Sequence, residues 1–523
     1  MKPSTQPASR RIEASLAAAA LIGLIGAIWW PALHASFQFD DFNVIVANSR
    51  VQSFAAWLHS MPGIRPLLKL SYALNHSWNA GPAGFRLTNV AIHAANACLV
   101  GALLWRRACR HGLSPGAAAV ATALATLAFA LHPAQTEAVT YISGRSVSLA
   151  GLCSLVSLAC WLRSRETCGR HRVLIWRGAA MLAFVAALGV RETAVVLPLA
   201  LLLWNATEPT ATQPQRATGL APLFALALLA LVIILAWPPY RHLIDTSLAI
   251  RSIGVNLMTQ AHALAYLALQ LLRPWNMNAD PALPATTHLD AITVLLILLW
   301  TGVAVAGFAL RRRHPSVAFG LLWFLLWLAP TNSLLARYDV VNNRQLYLAL
   351  IGPAWLLGYG VAAAGRRLLR SASSSRARHA VRACATLLLA LLATGLTTAT
   401  VQRNRVYADE ITFWEDVVRR TPTNARAANN LGMAYACARR DTEAAVQFER
   451  AARLQPDTRL GPWLFTVARN LHLSYVRSRL LEDTTTAGMT VGRTHARRPS
   501  TRHAARRPTP AIRSPAGLPA RAR

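Results

Sequence analysis

The chain has 523 residues, of which 54% are hydrophobic and 14% are charged, and its formal net charge is +33. This composition excludes an ordinary soluble domain, because the apolar residues fall in many blocks long enough to span a bilayer. Much of the positive charge lies in short loops and in the C-terminal tail, which membrane topology explains better than nucleic-acid binding. The cysteines show no CxxC spacing, so neither a disulfide framework nor a zinc site is indicated. We therefore expect an all-α polytopic membrane protein without a nucleic-acid partner.

The first apolar run, residues 16–30, follows Arg10 and Arg11 and lacks a small-residue cleavage site. It predicts a retained membrane helix with a cytoplasmic N-terminus. The stretch 256–272 is the most polar of the later apolar stretches and predicts an interfacial helix that does not cross. We expect about 11 transmembrane helices. The apolar stretches lie near residues 14–31, 87–105, 117–131, 138–162, 173–189, 193–206, 219–238, 256–272, 289–310, 317–335, 346–364 and 383–401.

The loops between these stretches divide by charge. Arginine-rich loops mark the cytoplasmic side, and they lie at 106–111, 163–172, 311–314 and 366–382. The acidic residues gather in the opposite loops, which include residues 35–86 and 336–345. We expect everything after about residue 402 on that second, external side.

A repeat pattern follows the last apolar stretch. From Asn430 the chain reads NLGMAYACARRDTEAAVQFERAARLQP, which fits the tetratricopeptide helix-pair pattern. Trp414 and Pro422 occupy the equivalent positions one period of about 34 residues earlier. The pattern predicts about one and a half repeats within residues 403–458. Because about three repeats are usually needed to bury a solenoid core, the array looks truncated.

Residues 459–523 depart from the repeat pattern. The segment 461–483, GPWLFTVARNLHLSYVRSRLLED, resembles a helix from the promoter-melting region of extracytoplasmic-function sigma factors. Beyond Asp483 the chain has no acidic residue and is rich in Arg, Pro, Thr and Ala, which predicts a basic disordered tail. A frameshifted or fused reading frame would explain both features, whereas a natural disordered tail would explain only the second.

Polar side chains gather at the predicted external ends of several helices. Ionisable groups at membrane depth are costly, so their gathering indicates a water-filled cavity that faces outward. Simpler interpretations exist for single members: the first two carboxylates could cap a helix in a solvated loop, and the first histidine could bridge two helices. The candidate residues are Asp40, Asp41, Arg65, His93, His132, Glu137, Arg145, Arg191, Glu192 and Arg344.

Seven segments in a fixed order carry a family resemblance. They are FDDFNVIVAN, RPLLKLSYALN, HPAQTEAVTYISGRSVSLA, VRETAVVLPLALLL, LLRPWNMNADPALP, APTNSLLARYDVVNNRQLYLALIG and the repeat array. Their order resembles that of the transmembrane and tetratricopeptide-repeat O-mannosyltransferase family, here in a bacterial form, from residue 1 to about 456. The resemblance implies a glycosyltransferase C fold for residues 1–402. It also implies inverting transfer of a mannose-like sugar from a polyisoprenyl phosphate to protein Ser/Thr, or to another acceptor, on the non-cytoplasmic face.

The resemblance further implies roles and a location. An acidic residue of the first external loop acts at the acceptor hydroxyl, which corresponds to Asp40 or Asp41, and a carboxylate can accept the hydroxyl proton. The leaving phosphate needs cations, and guanidinium groups bind phosphate bidentately, so Arg65, Arg145, Arg191 and Arg344 are candidates. The chain would lie in the inner membrane with its repeats in the periplasm, where they dock the acceptor protein. No cofactor is certain, and a divalent cation is left open.

Three positions depart from the family pattern. Arg191 stands where relatives often have lysine, Ser146 stands where an acidic residue is common, and Asn343 and Gln345 flank Arg344 in place of a Glu-Arg pair. A non-catalytic, membrane-anchored tetratricopeptide scaffold is the main alternative function. A transporter would show mid-helix charges and internal inverted repeats, and the sequence shows neither. Deleting residues 403–456 is expected to impair acceptor use and to spare the membrane domain.

Overall fold

The computed structural model describes residues 8–209 and 219–454. These residues are mostly α-helical and contain no β-strand, which confirms the all-α prediction. The first nine helices are α1 (Ala8–Trp29), α2 (Phe54–His59), α3 (Pro66–Trp78), α4 (Pro82–Arg110), α5 (Pro115–Leu131), α6 (Thr136–Val139), α7 (Arg145–Glu166), α8 (Arg170–Val190) and α9 (Leu197–Ala206). After residue 219 follow α10 (Ala221–Ala236), α11 (Pro238–Ile250), α12 (Ile253–Leu272), α13 (Ala291–Leu310), α14 (Pro315–Leu328), α15 (Leu346–Ala349), α16 (Ile351–Ser371), α17 (Ser375–Val406), α18 (Glu410–Arg420), α19 (Ala425–Cys437) and α20 (Asp441–Leu454).

Several of these helices can cross a membrane, which confirms the polytopic class. Within the described residues, 6 helices are long and apolar enough to cross, or up to 9 if each sharply bent pair counts as one span. Two shorter apolar helices, Glu192–Ala206 and Pro315–Leu328, accompany them. Helix α12, predicted to be interfacial, is not among these candidates. The count of about 11 crossings stays a prediction.

Small residues let the membrane helices approach each other closely. A Cβ atom at Gly358 of α16 would lie 2.1 Å from the carbonyl oxygen of Ala121 in α5. A Cβ atom at Gly352 would lie 2.3 Å from the carbonyl oxygen of Gly320 in α14. Helix α16 therefore touches two neighbours backbone to backbone, as small residues allow in membrane bundles.

Polar side chains cluster at two levels of the bundle. Arg86 near the start of α4 and Arg106 near its end are both engaged in polar contacts with other elements. The 20 residues between them correspond to about 30 Å along a helix, which is the thickness of a bilayer hydrocarbon core. The spacing fits a helix that spans the membrane with a polar cluster at each end.

Helices α18, α19 and α20 form the module at the C-terminal end of the described residues. A Cβ atom at Gly432 of α19 would lie 2.8 Å from the Phe448 ring of α20, so the two helices need glycine at this crossing. The assignment of this helix pair to the tetratricopeptide class stays a prediction. Pro456, the sigma-factor-like segment 461–483 and the basic tail lie outside the described residues.

The module is joined to the membrane bundle by many polar contacts. Arg403 in the last turn of α17 pairs with Asp416 of α18 at 3.0 Å. The segment before α13 contributes Asp280, which pairs with Arg426 of α19 at 2.6 Å, and Asn278, whose amide donates to the Thr421 hydroxyl at 2.6 Å. The expectation that deletion of this module spares the membrane domain stays a prediction.

Candidate active site

The loop between α1 and α2 places the two adjacent carboxylates, Asp40 and Asp41, in different surroundings. The Asp41 side chain is fully buried and accepts hydrogen bonds from the backbone N–H of Ser143 at 2.8 Å and from its hydroxyl at 2.6 Å. A second oxygen of Asp41 accepts from the backbone N–H of Gln38 at 3.2 Å. Asp40 is exposed, and its backbone N–H donates to the Tyr141 hydroxyl at 3.2 Å. Asp41 therefore fixes the loop, and Asp40 is the carboxylate open to a substrate.

Burial changes the proton affinity of this loop. Removal from water raises the pKa of Asp41 to about 6, although the hydrogen bonds from Ser143 and Gln38 and the charge of Arg86 oppose the change. Burial and the nearby carboxylates of Asp41 and Asp40 also raise the pKa of Tyr141 well above 10. The Tyr141 phenol thus stays protonated beside the Asp40 segment at neutral pH.

Phe39 connects the same loop to the C-terminal module. Its backbone is left-handed, with a φ angle of 47°, and its ring lies between Tyr141 and helix α18. The ring centroid is 4.3 Å from that of Phe413 and 5.0 Å from that of Trp414. The residue before the exposed carboxylate is therefore packed against the module predicted to dock an acceptor.

Four arginines approach one another near this loop. Arg65, Arg191, Arg337 and Arg344 come from different parts of the chain, and their guanidinium groups lie close enough to interact electrostatically. Two of them have carboxylate partners. Arg65 donates two hydrogen bonds to Glu192 Oε2 and one to Oε1, at 2.8–3.0 Å, and Arg344 Nε lies 3.5 Å from Glu137 Oε1.

The other two arginines lack such a partner. Arg191 Nη1 donates to the Ser146 hydroxyl at 2.8 Å. Arg337 has a buried Nη1 without a hydrogen-bond partner among the described residues. Neither side chain forms an ion pair within 4.0 Å in the described part of the chain, although Asp339 lies near enough to act on Arg337 and Arg344. The four arginines outnumber Glu137, Glu192 and Asp339, and this balance suits an anionic ligand.

A pocket that measures about 450 Å³ including its open mouth lies beside the cluster. Arg191, Arg344 and Thr331 supply polar lining, and Trp327 and Leu348 supply apolar lining. Along α7 the lining residues recur on one face at 147, 150, 151 and 154, which extends the pocket about 10 Å along the helix. The pocket thus joins a cationic end to an apolar wall.

The structure places three predicted site residues elsewhere. His93 is fully buried, where one ring nitrogen lies 3.0 Å from the Ala130 carbonyl oxygen and the other 2.9 Å from the Tyr347 hydroxyl. His132 caps the break after α5, since its Nδ1 accepts from the Ala134 backbone N–H at 3.1 Å. Both histidines are engaged in interhelical or local contacts away from the arginine cluster.

Arg145 is likewise engaged within the fold. Its guanidinium donates to Asn89, Asn75, and the backbone carbonyls of Ser71 and Phe85, and it lies over the Tyr72 ring at 4.9 Å. The side chain has no exposed surface. Four of its five N–H donors are used within the fold, and the side chain joins α3, α4 and α7.

Sequence reasoning missed two arginines that matter here. Arg86 is buried and donates to the carbonyl oxygens of Ala35, Ser36 and Thr140, so it anchors the start of the carboxylate-bearing loop. Arg337 lies in the 336–345 loop, which sequence patterning predicts on the same side as Arg344. The shared loop could have identified Arg337 as a candidate site residue. Arg86 stands at the end of the predicted external loop 35–86, and nothing else in the sequence marks it.

The described residues contain no group of three or more His, Cys, Asp or Glu side chains arranged to hold a metal ion.

Comparison with known proteins gives family-level relatives. The chain is 26% identical to protein O-mannosyl-transferase Tmtc3 of Drosophila melanogaster over 75% of its length and 48% of the relative's. It is 22% identical to human protein O-mannosyl-transferase TMTC3 over 84% of its length and 51% of the relative's. Identity to Drosophila Tmtc2 is 32% over 39% of this chain and 23% of the relative. No family model and no solved structure matches.

The fold and the cluster define an all-α polytopic membrane protein with a cationic, pocket-lining site at one end of its helices. The chain is similar to proteins named TMTC protein O-mannosyl-transferases, as the order of its motifs indicated. It spans about half the length of the TMTC3 relatives that it matches.

Proposed function

We propose that the chain is a glycosyltransferase that moves a mannose-like sugar from a polyisoprenyl phosphate to a serine or threonine hydroxyl of an acceptor protein. The observation that carries this proposal is the surplus of arginine charge at the pocket next to the exposed carboxylate of Asp40. Homology to proteins named O-mannosyl-transferases supports the reaction class. We place the reaction on the non-cytoplasmic face of the inner membrane, with a cytoplasmic N-terminus and periplasmic repeats, and the arginine-rich loops support this orientation.

On the donor side, the arginines would stabilise the leaving group. As the bond between the anomeric carbon and the phosphate oxygen breaks, negative charge grows on the polyisoprenyl phosphate. Arg191, Arg337 and Arg344 can offer charge-assisted hydrogen bonds to it, because none is saturated by a carboxylate at normal hydrogen-bond distance. The apolar face along α7 suits the first units of the isoprenyl chain.

On the acceptor side, Asp40 would act as the general base. The hydroxyl oxygen attacks the anomeric carbon from the face opposite the leaving phosphate, so the configuration inverts, and the hydroxyl proton passes to the Asp40 carboxylate. Glu192 and Glu137 are less suited to this role because Arg65, Arg344 and the backbone N–H of Asn343 occupy them. Asp41 is a positioning residue that holds the Asp40 loop against Ser143.

The C-terminal module would present the acceptor. Its helix α18 touches Phe39, next to Asp40, so an acceptor held by the module would reach the base over a short path. The tetratricopeptide character of residues 403–458 is part of this proposal.

An assay with purified full chain in lipid nanodiscs tests the function. Mannose carried on a short polyisoprenyl phosphate should be transferred to Ser/Thr of an acceptor protein, whereas a nucleotide sugar should not be used. Asp40→Asn should lower the rate by about 10²–10⁴-fold, as removal of a general base does. Asp245→Asn, which changes another exposed carboxylate, should leave the rate unchanged. An active Asp40→Asn protein would contradict the base assignment, and inactivity with every lipid-linked sugar would favour the scaffold alternative.

A further inference from the structure

A second pocket lies at the junction between the membrane bundle and the C-terminal module. It measures about 510 Å³ including its open mouth and is bounded by the end of α17, by α18 and by the loop 274–277. Its charged lining consists of Arg403, Asp416, Arg419 and Arg420, and Gln402 adds a neutral polar group. The proposed sugar-transfer site uses none of these side chains.

Three arginines of this pocket share one carboxylate. Asp416 accepts from Arg403 at 3.0 Å, from Arg420 at 2.9 Å, and from Arg419. Among the described residues no other carboxylate lies within ion-pair distance of these arginines. The group therefore carries about two uncompensated positive charges, which is costly near a membrane unless an anion balances them.

Arg403 is the most deeply buried of the three arginines. Its side chain is only 5% exposed, its Nη1 donates to Asp416, and its guanidinium lies 5.2 Å from the centre of the Tyr407 ring. Because Arg403 also lines the pocket, its charge favours an anion placed there.

The position of the pocket indicates where the anion would come from. Arg403 follows directly after the apolar stretch of α17, which ends near residue 401, so it lies at the level of lipid headgroups. Trp275 lines the same pocket and is 63% exposed, as is common for tryptophan at a membrane interface. Arg419 pairs with Asp416 and is 74% exposed, so its remaining donors face solvent and are accessible to a bound group.

We propose that this pocket binds a phosphate group, supplied by the headgroup of an anionic membrane lipid, and so fastens α18 to the membrane surface. The phosphate oxygens accept from Arg419 and Arg420, Arg403 adds its charge from the buried side of the pocket, and Asp416 keeps the arginines in place. This site is separate from the proposed donor site and stands whether or not the chain transfers sugar.

Lipid binding to the purified full chain tests the proposal. Phosphatidylglycerol, phosphatidylcholine and inorganic phosphate are titrated separately into protein held in a neutral detergent, and bound ligand is counted by native mass spectrometry. We expect one saturable phosphatidylglycerol that phosphatidylcholine replaces poorly. The double variant Arg419→Gln/Arg420→Gln should weaken it by at least about tenfold, because two charge-assisted hydrogen bonds are lost.

Arg405→Gln is the matched control, since Arg405 is exposed on the same turn of α17 and does not line the pocket. It should change the affinity by less than about twofold. Arg403 itself is left intact, because its loss would leave Asp416 with a buried, less compensated charge. Circular dichroism confirms that the variants are folded.

The outcomes separate the two sources of phosphate. If inorganic phosphate binds with the same dependence on Arg419 and Arg420 while phosphatidylglycerol does not, the phosphate site stands and the lipid source is wrong. Equal phosphatidylglycerol binding by the double variant and the parent would overturn the proposal. So would an equal loss on Arg405→Gln, because that result would mean diffuse attraction to a basic surface.

Discussion

The two ends of helices α4 and α7 place arginines in different electrostatic surroundings. At one end Arg106, Arg110 and Arg165 form ion pairs with Glu166 and Glu208 at 2.8–3.3 Å. At the other end Arg191 and Arg337 have no carboxylate within ion-pair distance in the described residues, and a pocket adjoins Arg191. Charge that is internally balanced ties helices together, whereas charge left unbalanced beside a pocket is available to a ligand.

Arg107 sharpens this contrast. It is buried at the same end as Arg106, and its guanidinium lies 3.8 Å from the centre of the Phe319 ring and 5.1 Å from that of Trp204. One nitrogen donates to Thr207. The aromatic faces replace a carboxylate here, so this cation serves helix packing.

The largest predicted effect is on the KM for the donor, and it should distinguish the arginines at the two ends. Removing the two unbalanced arginines with Arg191→Gln/Arg337→Gln should raise the KM for the lipid-linked donor by at least about 100-fold, since each hydrogen bond to a charged group contributes about 1.5–3 kcal/mol and one is lost at each arginine. Arg106→Gln should leave KM unchanged and lower the melting temperature, because Glu166 and Glu208 lose an ion pair. Steady-state kinetics and thermal unfolding in nanodiscs measure both.

A rise in KM for Arg106→Gln equal to that of the double variant would contradict the distinction between the two ends. It would mean that both ends act on the donor through the shared helices rather than through direct contact.

The Phe39 contact should have a smaller effect. Phe39→Ala removes the ring that joins the Asp40 loop to Phe413 and Trp414, and an aromatic pair contributes about 0.5–1.5 kcal/mol beyond the area that it buries. We expect kcat to fall by about 3–10-fold, with little change in the donor KM. Phe54→Ala, at a half-exposed ring on α2, is the control and should change neither constant.

An increase in donor KM for Phe39→Ala, without loss of kcat, would contradict a positioning role at the acceptor side. It would instead place this loop at the arginine cluster.

The sequence was sufficient for the class of fold and for part of the site. Apolar stretches and arginine-rich loops predict membrane helices and tell which helix ends share a side, and this grouping includes Glu137, Glu192, Arg191 and Arg344. The sequence could not distinguish a buried arginine that holds helices together from an arginine that we propose binds a ligand. In the sequence, Arg145 belongs to the same external group of polar residues as Arg191 and Arg344. Only its hydrogen bonds to Asn75 and Asn89 show that it serves the fold.

The two adjacent carboxylates illustrate the same limit at finer scale. An Asp-Asp pair predicts one inward and one outward side chain only if the local backbone is known. Here the left-handed Phe39 and the Ser143 contacts decide that Asp41 is buried and Asp40 exposed. Both features depend on contacts more than one hundred residues away, which residue spacing alone does not encode.

The smallest predicted effect is a pH dependence of the melting temperature that comes from Asp41 alone. Burial raises the pKa of Asp41 from its ordinary 3.8 to about 6 in the folded chain, so the folded state takes up a proton before the unfolded state does as pH falls. The contribution of Asp41 to stability is therefore fully present below about pH 4 and is lost as pH rises through 6. Asp41→Asn cannot titrate and removes this dependence. The difference in melting temperature, parent minus Asp41→Asn, should grow by a few degrees between pH 7 and pH 4 in thermal unfolding. If that difference instead shrinks on acidification, the hydrogen bonds from Ser143 and Gln38 outweigh burial, and Asp41 holds the loop as a carboxylate of lowered pKa.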